Sequence, residues 1–377
     1  MKSFYKKLGP YISPEGQLNE GMEVKELLGI SNQKYFQKSH TNIIGIDLST
    51  YRIVRTNQFA FNRATTRNGE KLSIALRQGD DCIVSPSYRI FQVKDENQLL
   101  SEYLLMWFKR PEFDRYVRFK SHGSAHEFFE YDQMCEVELP IPSITIQREI
   151  VKEYNVIQNR ITLNQQLIQK LEETAQAIYK QWFVDQQDSD NKVKLNKYIK
   201  TNPSLSIKKN AVATYVEMND LTTTSMRITG SIKREFIGGS KFQNQDTLVA
   251  RITPCLENGK TAFVDILEDK EIAAGSTEFI VMRAKDNISP HWVYCLARDE
   301  NFRSYAISSM VGSSGRERVH EKYLDEYIVS EINPEKMNEF HLKTLPIFKI
   351  INIRSNEVRN LTILKDLHLS KLATIEN

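Results

Sequence analysis

KLGPYI at Lys7 to Ile12 and KLNKYI at Lys194 to Ile199 share four of six letters. An echo this short decides nothing unless other anchors follow it, in the same order and at a steady distance. They do. The two hexapeptides start 187 residues apart, and Asn68-Gly69 returns as Asn258-Gly259 at 190, each with a lysine within two residues. VSPSYRIFQV (Val84 to Val93) aligns with GSTEFIVMRA (Gly275 to Ala284) at 191, Phe113 and Tyr116 with Phe302 and Tyr305 at 189, and Gly123-Ser124 with Gly312-Ser313 at 189. A period this long marks a duplicated domain rather than a solenoid.

Within each copy, CIVSPSYRIFQV, KTAFVDIL and STEFIVM are rich in β-branched and aromatic residues that suit half-buried strands. SEYLLMWFKRPEFDRYV and SPHWVYCLARDENFRSYA carry apolar residues at helical spacing. Asn-Gly pairs between such runs signal tight turns. The expected unit is therefore an α+β domain, with copies at residues 1–143 and 191–335.

Two helices follow the copies, over residues 144–190 and 336–377. LPIPSI closes the first copy, and Ile150, Tyr154, Ile157, Ile161, Asn164, Ile168, Leu171, Ala175, Ile178 and Trp182 then alternate by four and three. That is a heptad seam on a helix of about thirty residues, or roughly 45–50 Å. Asn164 within it is either a tolerated polar defect or a register-setting residue. The C-terminal stripe, Ile347, Ile350, Ile351, Val358, Leu361, Leu364, Leu367 and Leu372, is less regular, and Pro346 is expected to mark a boundary or kink. Packing the helices antiparallel would cover both stripes.

The chain has 377 residues, 40% hydrophobic and 26% charged, with a net charge of +3. The charge is too small to announce a nucleic-acid binder, but its distribution is uneven. Six basic residues against Glu70 lie between Arg52 and Arg77, and six more between Arg227 and Lys260 face three acids. A solvated face would account for either cluster alone. Cys82, Cys135, Cys255 and Cys295 form no C-x-x-C pair, so isolated buried thiols in a reducing, cytoplasmic setting are expected. Neither a signal-peptide core nor a membrane-length apolar run is present in the sequence.

Taken together, these stretches resemble the specificity (S) subunits of type I restriction-modification systems along nearly the whole chain. The resemblance is carried by NQFAFNRATTRNGEKLSIAL (Asn57 to Leu76) and VSPSYRIFQV in the first half. In the second half it rests on TYVEMNDL (Thr214 to Leu221), DTLVARITPCLENGKTAF (Asp246 to Phe263) and AGSTEF (Ala274 to Phe279). LIQKLEETAQAIYKQWFVD (Leu167 to Asp185) and NEVRNLTILKDLHLSKL (Asn356 to Leu372) resemble the family's spacer helices. The resemblance implies two tandem target-recognition domains joined by two long antiparallel spacer helices. Each domain would read one half of a split, asymmetric site in double-stranded DNA, and the helices would dock two methyltransferase (M) subunits. Restriction/translocase (R) subunits would be optional further partners. S-adenosylmethionine, ATP and Mg would belong to those partners, with no cofactor on this chain. A rod of about 45–50 Å corresponds to roughly 13–15 base pairs.

Catalytic signatures are missing from the sequence. Ser85-Pro86-Ser87-Tyr88 falls short of the adenine-methyltransferase turn because Ser87 replaces its second proline, and there is no Gly-rich phosphate loop. His122 and His126 lack the glutamate of a zinc-protease motif, and the seven histidines show no metal spacing. A fragment of a self-contained restriction-methylation enzyme, or a coiled-coil interaction protein indifferent to DNA sequence, are the alternatives. DNA contacts are expected from polar stretches beside the Asn-Gly turns: Asn62, Arg63, Arg67 and Lys71 in the first copy, Lys241, Arg251 and Lys260 in the second. The glycine loops add Ser124, and Ser313, Ser314, Arg316 and Arg318. Arginine pairs bidentately with guanine and asparagine with adenine, while lysine neutralises phosphate.

Overall fold

The computed structural model describes residues 5–39, 45–64, 71–121, 127–186 and 191–374. It divides into two units, residues 1–160 with 360–377, and residues 161–359.

In the first unit β1 (Tyr5–Lys7), a 3-10 turn, β2 (Ile12–Glu15), β3 (Leu28–Ile30), β4 (Phe36–Lys38), β5 (Arg52–Val54), β6 (Gln58–Asn62), β7 (Ile74–Leu76), β8 (Cys82–Val84) and β9 (Tyr88–Val93) come first. Helices α1 (Ser101–Phe108), α2 (Pro111–Lys120) and α3 (Tyr131–Cys135), strand β10 (Glu138–Pro140) and the long α4 (Ile144–Tyr179) follow. The main sheet has the order β2-β9-β6-β7. Alternation along β6 sends Phe59 and Phe61 into the core beneath α1 and α2, and Ala60 into a smaller core against β5 and β8. Phe59 stacks on Phe91 at 4.9 Å and meets Phe108 edge-on at 5.6 Å.

The second unit repeats the plan with β11 (Lys192–Lys194), β12 (Ile199–Thr201), β13 (Val212–Val216), β14 (Ile232–Glu235), β15 (Ser240–Phe242), β16 (Thr247–Ala250), β17 (Thr261–Phe263), β18 (Ala273–Gly275) and β19 (Phe279–Ala284). Then come α5 (Pro290–Arg298), α6 (Glu300–Ser308), the hairpin β20 (Met310–Val311) and β21 (Arg318–Val319), α7 (Glu321–Asp325), β22 (Ile328–Ser330) and the long α8 (Pro334–Lys371). Its main sheet, β12-β19-β16-β17, has the same strand order as the first. Val249 faces the helical core and Leu248 the smaller one, again by alternation.

The hexapeptide echo is a structural repeat down to single bonds. Leu8 N–H donates to Val137 O at 2.8 Å, and Leu195 N–H to Tyr327 O at 2.7 Å. Lys94 N–H reaches Tyr11 O at 2.9 Å, and Lys285 N–H reaches Tyr198 O at 2.9 Å. Lys7 pairs with Glu136, and Lys194 with Glu326. Both ion pairs are exposed, so they mark the repeat more than they stabilise it.

Each unit holds its own stretch of the two long helices, running antiparallel. In the first, Lys365 donates to Gln158 at 3.3 Å and His368 lies 3.8 Å from Glu153, while Leu369 and Leu372 are buried with Val151 and Tyr154. Tyr5 closes that end by donating to Ala373 O at 3.0 Å. In the second, Trp182 and Phe183 pack on Phe340, and Lys336 donates to Gln186 O at 2.9 Å.

Along α4 the seam behaves as its spacing predicts. Tyr154, Ile157, Ile161, Asn164, Ile168 and Ala175 are buried, and Ile150, Leu171, Ile178 and Trp182 are half-buried, Trp182 lying in a π-helical turn, Lys180–Asp185. On α8, Pro346 is not a boundary, and the expected stripe holds only in part. The helix runs through Pro346, because buried Met337 and Phe340 on one side and Phe348 and Ile351 on the other tie both halves to one core. Losing one backbone bond is then tolerated. Ile350, Leu364 and Leu367 are exposed, while Val358 and Leu361 are half-buried. The inward positions are Phe348, Ile351, Ser355, Val358, Thr362, Lys365, Leu369 and Leu372, again spaced by three and four. Three of these are polar, so counting apolar letters found Ile351, Val358 and Leu372 but took in exposed Ile350, Leu364 and Leu367 beside them.

The cysteines are free; Cys82 and Cys295 are buried, but Cys135 and Cys255 only partly, against the expectation of four buried thiols. No helix among the described residues is long and apolar enough to cross a membrane.

Candidate nucleic-acid interface

Strand β6 ends at Asn62, and the chain leaves the sheet through Arg63 and Ala64. Ala64 bridges to Phe128, Phe129 N–H donates to Arg63 O at 2.9 Å, and Asn62 Oδ1 accepts from Ala64 N–H at 3.1 Å. The guanidinium of Arg63 sits 4.7 Å from the Phe128 ring and donates to Glu130 Oε1 at 2.8 Å. Arg89, on the neighbouring strand, donates to the other oxygen of Glu130 at 3.1 Å. Glu130 also caps α3, reciprocally with Gln133.

The second unit builds the same junction. Ile252 bridges to Arg318, and Val319 N–H donates to Arg251 O at 2.9 Å. Arg251 lies 3.9 Å from Glu321, in the first turn of α7, and Arg318 pairs with Glu278. The hairpin that carries Arg318 exposes Ser313, Ser314 and Arg316 at its tip, where Arg316 N–H closes a turn on Ser313 O at 2.9 Å.

The structure thus brings Asn62 and Arg63 to one junction, and Arg251, Ser313, Ser314, Arg316 and Arg318 to its counterpart. Lys71 is exposed in the first unit, and neither Lys71 nor Arg316 makes an ion pair among the described residues. Two lysines are instead committed to the scaffold. Lys241 donates to Leu205 O and Lys260 to Met218 O, both at 2.9 Å. Arg67 and Ser124, the Asn68-Gly69 turn, and His122 and His126 lie outside the described residues. Gly259, in the second Asn-Gly turn, has φ of +74°, the left-handed backbone that such turns require.

Several participants escaped the sequence reading. Glu130, Arg89, Glu278 and Glu321 are the acids and the base that orient these arginines, and only Glu130 carried a legible signal, the capping spacing to Gln133. Asp246, which opens a family-like stretch, holds Arg283 by two bonds of 2.6 Å and serves the scaffold. Ser85 to Tyr88 forms the turn between β8 and β9, and the Tyr88 hydroxyl accepts from Ile30 N–H at 3.3 Å. That ring is tied into the fold rather than free to stack on a base. No group of three or more His, Cys, Asp or Glu side chains among the described residues is placed to hold a metal.

Comparison with known proteins bears on what this duplicated frame is for. Residues 2–173 match the family model described as the type I restriction modification DNA specificity domain. The match takes in a little under half of the chain, and over that part the chain is similar to type I specificity subunits. The chain is 23% identical over 158 residues to the type I restriction enzyme HindI specificity subunit of Haemophilus influenzae, covering 41% of this chain and 34% of that one. It is 37% identical over 83 residues to the EcoAI specificity subunit of Escherichia coli, covering 22% and 14%. The matched stretches therefore span about a third or less of these curated relatives. Over 100% of this chain, the fold is that of a type I restriction-modification S subunit from M. genitalium, with a TM-score of 0.61 at 11% identity over 98% of that chain.

Proposed function

We propose that this specificity subunit reads a split, asymmetric site in double-stranded DNA, one half with each unit, and directs partner subunits to it. The observation that carries the reading is the repeated arginine junction. Each unit presents an arginine at the end of a central strand, beside a loop or hairpin, on an otherwise matching frame. Arg63 and Arg251 occupy matching places, but their surroundings differ: Phe128 and Arg89 in one unit, Arg318 and a serine-rich tip in the other. Different side chains on one frame are what reading two different half-sites requires.

The partners are two methyltransferase subunits and, in a restricting complex, translocase/nuclease subunits, all working in the cytoplasm. S-adenosylmethionine, ATP and Mg belong to those partners. The antiparallel long helices, with exposed Val156 and Leu367 in the first unit and Leu163 and Ile353 in the second, offer apolar surface for docking them. Sequencing of N6-methyladenine in cells carrying the methyltransferase with and without this chain tests the reading. A split motif that appears only with the chain is expected, and no chain-dependent motif would overturn it.

A further inference from the structure

Two lysines of the first unit converge where α1, α4 and α8 meet, with no acid paired to either. Lys109 closes α1 and turns its ammonium onto Tyr154 of α4, 5.2 Å from the ring centre and 3.4 Å from the hydroxyl. Lys365 comes from α8 and donates to Gln158 of α4 at 3.3 Å. Tyr154 and Gln158 are one turn apart on α4, so both ammoniums address one face of that helix. Both lysines are half-buried, and among the described residues neither makes an ion pair. Glu102 offsets part of the charge, but its two oxygens already accept from Gln78 at 3.3 Å and Asn155 at 3.4 Å. Burial, reinforced by Lys365, lowers the Lys109 pKa from 10.5 to about 8. Withdrawing one cation from water beside another opposes folding, so stability does not account for the pair.

The duplicated position in the second unit is satisfied internally. Leu100 and Arg110, which precede α1 and α2, correspond at the repeat distance of 189 to Ser289 and Asp299, which precede α5 and α6, so Lys109 matches Arg298. Arg298 donates to Thr223 O at 3.2 Å and to Gly259 O at 3.0 Å, and Glu172 of α4 brings a carboxylate within its electrostatic reach. Lys109 has a tyrosine hydroxyl and a second lysine in their place. One copy thus neutralises its cation, and the other keeps two cations open to an anion from outside the unit. The rim of this seat is partly apolar: Leu361, one turn before Lys365, is half-buried, and Leu364 is exposed. Mixed apolar and cationic surface on a helix pair suits an acidic side chain of a docking protein better than the uniformly charged backbone of a duplex.

We propose that Lys109 and Lys365, with the Tyr154 hydroxyl as a further donor, seat a carboxylate side chain of the protein subunit that docks on the long helices of the first unit. The inference rests on the reading of those helices as a docking surface for methyltransferase subunits, and gives that surface its chemistry. The test titrates the purified methyltransferase subunit into the full chain by calorimetry, at low and high salt, for wild type, K109M, K365M, K365E and the control K152M. Methionine keeps the apolar stem of each lysine and removes its charge, and Lys152 is an exposed lysine of the same helix, α4. K109M and K365M are each expected to weaken docking by about tenfold at low salt, and K365E by more. The deficit shrinks at high salt, where charge attraction is screened. K152M binds as wild type, and random-duplex affinity of the free chain is the same in all variants. Thermal unfolding separates lost docking from misfolding: removing an unpaired half-buried charge leaves the midpoint unchanged or raises it, and K365M and K365E read the seat from α8 independently of any packing change at Lys109. Wild-type docking by both K109M and K365M, or an equal loss in K152M, would overturn the proposal alone. A loss confined to duplex binding would make the pair a phosphate contact and overturn it as well. A wild-type chain that does not bind the methyltransferase subunit would overturn the parent reading and the proposal with it.

Discussion

Arg318 grips Glu278 with both arms of its guanidinium, Nε 2.9 Å from one carboxylate oxygen and Nη2 2.8 Å from the other. This is the fork geometry by which arginine also pairs with guanine. In the free subunit the carboxylate occupies the fork, and a guanine would have to displace it. Glu278→Gln should therefore raise affinity for random-sequence duplex by about three- to tenfold at moderate salt, with a smaller gain on the specific site, narrowing the ratio between them. Fluorescence anisotropy with both duplexes checks this. An unchanged ratio would place Arg318 away from DNA.

Arg316 differs from Arg318 two residues later, since it is exposed at the hairpin tip with no ion pair among the described residues. A cation free of partners is suited to phosphate. Arg316→Ala should lower affinity for specific and random duplexes to a similar degree and reduce the slope of log K against log salt by about one. A salt titration of binding reads this, and unfolding midpoints should not move.

Asn164 is 4% exposed, and its Nδ2 has no hydrogen-bond partner among the described residues. An unpaired buried amide costs about 1–3 kcal/mol, and a seam asparagine is tolerated where it disfavours other registers. Asn164→Leu should accordingly stabilise the second unit by about 1–2 kcal/mol in urea unfolding. It should also broaden the distribution of species in sedimentation velocity if the asparagine sets register. Stabilisation with a single sharp species would identify a tolerated defect instead.

The duplication was legible because its anchors are glycines, aromatics and the turn-forming hexapeptide, residues whose chemistry dictates backbone or core. Phe113 and Phe302 fill equivalent cores, and the lysines of both hexapeptides even keep equivalent glutamates. The α4 seam was legible for the same reason, an uninterrupted apolar period. The α8 seam was legible only in part, because Ser355, Thr362 and Lys365 occupy inward positions that no hydrophobic count selects. At the interface, the basic residues could be named, but their commitments could not. Lys260 and Lys241 look like phosphate ligands by composition, yet bond to backbone carbonyls contributed by Met218 and Leu205, 42 and 36 residues away. Such long-range partners leave no local pattern.

His291 illustrates a buried group with a consequence for acid stability. It packs between Phe348 at 4.0 Å and His341 at 5.1 Å in the second unit, and shares a 2.9 Å bond with the Thr344 hydroxyl. That hydroxyl donates to Phe340 O at 2.8 Å, so the Nδ1–H of His291 is the donor in the shared bond. Burial, reinforced by His341, pushes its pKa down from 6.5 to about 3. The folded state thus keeps the ring neutral, whereas the unfolded chain takes up a proton near pH 6.5. Stability from this site is complete above about pH 6.5 and falls as the pH drops towards 3, at a limiting slope of about 1.4 kcal/mol per unit. His291→Asn retains a donor for Thr344 and removes the titration. Urea unfolding at pH 7 and pH 5 should therefore show a smaller loss for the variant than for wild type, by about 1–2 kcal/mol. Equal losses would mean that His291 is already protonated, or accessible to protons, in the folded chain.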